Sequence, residues 1–122
     1  MNAAPANPVV HLELHTSDRT GAGGFYRDLF GWNAERIETG GRAYHSVELA
    51  HEFGGGIVEC GTPRPLWLPY VEVERVGEAT ECATRLGASV LLPPREGPAG
   101  WRSVVSSPVA GEVAFWQPKA CS

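Results

Sequence analysis

Residues 9–16, VVHLELHT, alternate in character. Leu12 and Leu14 fall on one side, and His11, Glu13 and His15 on the other. This is the period of a strand with one apolar face. Ser17 or Asp18 is placed to cap a helix marked by the spacing of Ala22, Phe25, Tyr26, Leu29 and Phe30, and Gly31 ends it. Gly21, Gly23 and Gly24 each cost about 1 kcal/mol against alanine inside a helix, so its first turns are expected to be weak. AERIETGGRAYHSVEL reads as two strands about a Gly40-Gly41 turn. Tyr44, Ser46 and Glu48 alternate there with His45, Val47 and Leu49, and the pattern leaves open which set faces inward. The run Gly54–Gly56 permits close backbone packing or a bend before the next strand. TPRP (62–65) reads as an irregular connector.

The second half repeats this order. LPYVEVE (68–74) alternates, with Val71 and Val73 on one side and Leu68, Tyr70 and Glu72 on the other. Ala79, Cys82, Ala83 and Leu86 mark a second helix over 77–86, with Gly87 as its stop. SVLLPP, WRSVVSSP and GEVAFWQP supply three more strands, and PPREGPAG (93–100) reads as a loop that can close over a ligand or simply turn at the surface. HLELHTSD, from His11, lies over LPYVEVER, from Leu68, and each leads into a helix ending in glycine. The chain is a doubled strand–helix–three-strand unit, and such a repeat decides architecture.

At 122 residues the chain is one domain's worth and can bury a core without disulfides or metal. Its net charge of −4 offers no basic face for nucleic acid. It has no apolar run long enough to span a membrane and no secretory pattern at MNAAPANP. Cys60, Cys82 and Cys121 match no zinc or redox spacing and read as free thiols of a reducing compartment, so a cytoplasmic protein is expected. No GxSxG or GxGxxG motif is present, which removes the usual signals for a serine nucleophile and a nucleotide cofactor.

With HLELHTSD leading to FYRDLFGW, then GGGIVE, YVEVERVGEA, RLGASVLLPP and GEVAFWQPK, the chain resembles the vicinal oxygen chelate superfamily over residues 8–119. That superfamily includes glyoxalase I, bleomycin- and fosfomycin-resistance proteins and extradiol dioxygenases. The closest resemblance is to small actinobacterial-type proteins related to lactoylglutathione lyase. It implies an α+β fold in a single domain, residues 1–122. Two βαβββ modules (about 8–62 and 63–119) would form a cleft-shaped mixed sheet, often assembled as a homodimer. It also implies four metal-ligand positions on the first and last strand of each module. These fall on His11, on Glu59, on Leu68 (or Pro69) and on Phe115 (or Ala114). Only the first two can hold an ion, while catalytic zinc normally has three protein ligands. A divalent metal (nickel, zinc, iron or manganese) at His11 and Glu59, with Glu13 or His15 as a shifted third ligand, is one expectation. Metal-free acid–base catalysis by His11 and Glu59 is the other.

Glu13, His15, Tyr70, Glu72 and Trp101 are the expected substrate contacts. A histidine beside a carboxylate can move a proton near neutral pH, although a solvated strand face has the same pattern. Tyr70 can donate to a substrate oxygen or serve as half-buried core. Trp67, Trp101 and Trp116 can wall an aromatic ligand or pack in the core, and Trp32 reads as a packing residue. His45 and His51 read as surface or loop positions. The expected function is a glyoxalase-like lyase, isomerase or cyclase acting on a small oxygen-rich molecule. The alternative is a small-molecule-binding protein that sequesters its ligand without chemistry.

Overall fold

Strand β1, Val9–Thr16, is followed by helix α1, Arg19–Phe30, and by strands β2 (Ala34–Thr39), β3 (Arg42–Ala50) and β4 (Phe53–Glu59). Strand β5 (Leu66–Glu72), helix α2 (Val76–Arg85) and strands β6 (Ser89–Glu96), β7 (Gly100–Ser106) and β8 (Glu112–Pro118) repeat the order. This is a computed structural model, and it describes residues 7–39, 42–50, 53–60 and 65–119. The Gly40-Gly41 turn, His51, the TPRP connector up to Arg64 and Cys121 lie outside the described residues. The architecture is α+β, with two compact units: His11–Leu68, and Pro69 onward together with the chain as far as Val10.

In the first unit the strand order is β2-β3-β4-β1. β4 runs antiparallel to β3 and parallel to β1, with Leu14 opposite Ile57 and Thr16 opposite Glu59. Asp18 caps α1 by accepting from the Gly21 N–H at 2.9 Å, and Gly31 ends the helix in the left-handed conformation at φ 76°. Glycine adopts that conformation without penalty. Leu14, Val47 and Ile57 form the core, against which Ala22, Tyr26, Trp32, Leu49 and Trp67 pack. The side of the sheet carrying Leu14, Val47 and Ile57 therefore faces α1. Trp67 donates to the Tyr26 hydroxyl at 3.2 Å, and Tyr26 stacks on Trp32, which is a packing residue as expected.

In the second unit the order is β5-β8-β7-β6, with β5 and β8 parallel and the other pairs antiparallel. The Pro8 carbonyl accepts from the Glu72 N–H at 2.9 Å. α2 turns inward a face rotated from the one its apolar spacing predicts, with Ala79 and Ala83 half-buried on it. Its buried residues are Val76 and Thr80, while Cys82 is exposed and Leu86 is 76% exposed. The Thr80 hydroxyl donates to the Val76 carbonyl at 2.6 Å and lies 2.7 Å from the Ser103 hydroxyl. A polar residue is buried here because both of its needs are met. The stretch 93–100 is mostly strand rather than loop. β6 continues through Pro93 and Pro94 to Glu96, and the Gly97 N–H donates to the Gly100 carbonyl at 2.7 Å to close a tight turn. β6 is the last strand in its order, and its register shifts between Leu92 and Arg95, so it tolerates proline.

Candidate functional site

His11, Glu13 and His15 project from the side of β1 opposite to Leu14, and so away from α1. Glu13 is the most covered of the three, its side chain 14% exposed against 34% for His11 and 25% for His15. Its carboxylate stands between the two rings. Oε1 is 2.8 Å from His15 Nε2, and Oε2 is 3.5 Å from His11 Nε2. An ionised carboxylate only accepts, so the His15 Nε2–H is the donor. In the neutral ring this leaves Nδ1 as the proton acceptor.

Beside the carboxylate the floor is low. Gly56 is paired with Glu13 on one side and with Ser46 on the other. A Cβ placed on Gly56 would lie 3.8 Å from His11 Nε2 and 3.8 Å from the Tyr44 ring. Gly56 is buried at the centre of the row Ser46–Gly56–Glu13, with His11 and Tyr44 at contact distance from the position a side chain would take. This decides the open question on β3: Tyr44, Ser46 and Glu48 share the side of the histidines, whereas His45, Val47 and Leu49 face α1. A Cβ on Gly23 of α1 would meet His45 Nδ1 at 3.6 Å. His45 is half-buried, not a surface residue. Burial, and then the charges of Arg19 and Arg36, hold its pKa below the ordinary histidine value.

The structure does not bring Glu59 to His11. Glu59 is in register with Thr16, on the α1 side of the sheet, and its Oε1 accepts from the Arg19 N–H at 3.0 Å. There it serves the first turn of α1, where a negative charge is favoured. The reason is parity. Ile57, two residues earlier, faces the core, so Glu59 points the same way.

In the second unit Ser103 meets Thr80, and Gln117 Oε1 accepts from the Val76 N–H at 2.9 Å, so α2 covers the side of Ser103 and Gln117. Phe115 pairs with Ser103, and Trp101 with Gln117, on that same side. Trp101 therefore does not share a face with Tyr70, and Lys119 Nζ lies 5.7 Å from its ring. The opposite side carries Tyr70, Glu72, Arg102, Ala114 and Trp116. Leu68 is 1% and Tyr70 5% exposed. The Arg102 Nη1–H donates to the Tyr70 hydroxyl at 3.0 Å, and the Tyr70 and Trp116 rings are 6.5 Å apart. Arg102 is the residue that the sequence pattern did not reveal. Trp67 packs in the first core, Trp101 lies under Lys119 and Trp116 near Tyr70.

The residues present do not fit the four-ligand ion site. Leu68 and Phe115 have no donor, and Glu59 is on the far side of its sheet from His11. Glu13 and His15 are engaged with each other. Among the described residues no three His, Cys, Asp or Glu side chains converge as an ion site.

No family model matches the chain. Two curated proteins, each named "Putative glyoxylase CFP32", from Mycobacterium bovis and Mycobacterium tuberculosis, are 30% identical to it over 114 residues, covering 87% of this chain. The chain spans 44% of the length of these relatives. Among solved structures, protein BH1468 of Bacillus halodurans aligns with a TM-score of 0.70 at 12% identity, covering 97% of this chain and 99% of that one. Methylmalonyl-CoA epimerase of M. tuberculosis aligns with a TM-score of 0.65 at 11% identity, covering 98% and 94%. At these identities the structural matches establish the fold. No helix among the described residues is long and apolar enough to cross a membrane.

Proposed function

The chain belongs to the vicinal oxygen chelate superfamily, and on that premise we propose that it is a glyoxalase-like enzyme that moves a proton on a small oxygen-rich molecule. His15 would take the proton from carbon next to a carbonyl and return it. The observation that carries this reading is the carboxylate of Glu13, largely buried and 2.8 Å from His15 Nε2. A carboxylate on one ring nitrogen fixes the tautomer, leaves the other nitrogen able to accept a proton, and stabilises the imidazolium once the proton has moved. Such a pair contributes typically about 10²–10⁴-fold to rate. His11 and Tyr44, which flank Gly56 beside the carboxylate, are the groups placed to orient a substrate's oxygens.

Methylmalonyl-CoA epimerase is named for a reaction that inverts a carbon, and its fold is the one seen here. The curated relatives are named as glyoxylases. Both names support proton transfer next to a carbonyl as the class, and neither names this chain's substrate. The sequestration alternative keeps Trp116 and the missing second-module ligands in its favour, but not Trp67, a core residue, or Trp101, which lies on the α2 side. The reading is tested by incubating the protein in D2O with α-hydroxycarbonyl compounds and thiohemiacetals and following deuterium incorporation by NMR. At least one compound is expected to exchange at an enzyme-dependent rate. An inert panel, with the same compounds bound unchanged, would favour sequestration.

A further inference from the structure

The second unit carries an arrangement that the proton-transfer reading does not use. Four residues stand in one row across its sheet, on the side away from α2. Glu72 of β5 is in register with Trp116 of β8, Trp116 with Arg102 of β7, and Arg102 with Arg95 of β6. Residues in cross-strand register share a face, about 4.8 Å from each neighbour. The row therefore reads as carboxylate, indole, guanidinium, guanidinium.

Two like charges directly opposite each other on adjacent strands repel. Arg102 and Arg95 stand in this relation, and among the described residues no carboxylate pairs with either. Arg102 is half-buried, and one of its nitrogens is fixed on the Tyr70 hydroxyl at 3.0 Å. Tyr70 is itself 5% exposed, so the guanidinium is held by a rigid partner. A guanidinium so held has lost much of its rotamer freedom before any ligand arrives, which favours planar, bidentate recognition of a carboxylate. The indole of Trp116 beside it is a flat wall.

We propose that Arg102 and Arg95 bind the carboxylate of a small ligand whose flat unsaturated body lies along Trp116. Glu72, at the other end of the row, accepts from a hydroxyl or amine on that body. Tyr70 positions Arg102. The ligand class is a hydroxylated or aminated aromatic or conjugated carboxylate. The assignment stands independently of the histidine–carboxylate pair, and it holds or falls without any turnover being observed.

The test is an NMR titration of the full chain. The Trp116 indole N–H is followed against 4-hydroxybenzoate, its uncharged analogue 4-hydroxybenzamide, and inorganic phosphate. 4-Hydroxybenzoate is expected to saturate the Trp116 signal, and the amide to bind at least about tenfold more weakly. Phosphate, which has charge but no flat body, is expected to be weaker than 4-hydroxybenzoate. Arg102→Gln should weaken 4-hydroxybenzoate by about tenfold or more, and Arg95→Gln by less, because Arg95 is exposed. Arg95→Gln alters only an exposed edge-strand side chain, so it remains informative if Arg102→Gln fails to fold. No saturation by about 10 mM would overturn the assignment. So would equal binding of acid and amide, phosphate binding as tightly as the aromatic acid, or unchanged binding in both variants.

Discussion

Glu13 and Glu59 are carboxylates on neighbouring strands of one sheet, and they do different work because they face opposite ways. Glu13 holds an imidazole, whereas Glu59 holds the first turn of a helix. Glu13→Gln is expected to slow proton exchange by about 10-fold to 100-fold, since the amide no longer fixes the ring or stabilises its charged form. Glu59→Gln should leave exchange within about twofold and lower stability by roughly 0.5–1 kcal/mol, as lost charge at a helix N-terminus does. Deuterium exchange and urea denaturation of the two variants separate these roles. His45 gives a pH signature. Its folded-state pKa is lowered by burial and by the nearby Arg19 and Arg36 charges. The unfolded chain then binds the proton more readily, so stability falls as pH drops through the ordinary histidine range near 6.5. The urea midpoint should drop less from about pH 7.5 to 5.5 in His45→Gln than in the parent protein. An identical drop would remove His45 from the explanation.

Glycine has two opposite uses within β4. A Cβ on Gly55 would come within 2.5 Å of the Leu12 carbonyl oxygen and 2.7 Å of Leu49 Cδ1, whereas one on Gly56 would make ordinary contacts of 3.5 Å and more. Gly55→Ala is expected to destabilise by about 1–3 kcal/mol through overpacking. Gly56→Ala should fold normally and slow exchange, because its methyl packs against His11 and Tyr44 beside Glu13. Thermal unfolding together with exchange rates checks both. In α2, Thr80→Val or Ser103→Ala alone would leave a buried hydroxyl short of its partner, at about 1–3 kcal/mol. The double variant should lose less than the sum of the two, which a double-mutant cycle in urea reads directly.

These elements also mark what the sequence could reveal. The alternation of VVHLELHT, the Asp18 cap and the Gly31 stop were legible because each has a local cause. The buried side of α2 was legible only in Ala79 and Ala83, since Thr80 is polar and its satisfaction comes from Ser103, far along the chain. The facing of Glu59 was legible in principle from Ile57, but the glycines before it gave no pattern to weigh against a ligand position.

At the scale of the whole chain, the repeat was visible as two strands each leading to a helix and a glycine, and both units have that order. The candidate chemistry was only half visible. His11, Glu13 and His15 announce themselves by alternation on one strand. Arg102 is paired with Tyr70 and stands in a row with Trp116 only through strand register, which no local spacing encodes. The same register shows why Phe115 and Trp101 belong to the α2 side. Length matters too. The chain spans 44% of the length of its curated relatives, and the groups proposed for proton transfer all lie in the first unit.

The most direct test compares the parent protein with His15→Gln in D2O, on whichever carbonyl compound of the panel the parent exchanges. Glutamine keeps an N–H for Glu13 but has no nitrogen that can take up a proton near neutrality. Deuterium incorporation is expected to fall by about 100-fold or more, with the fold and ligand affinity retained. Incorporation at the parent rate would contradict the account and move the chemistry away from His15.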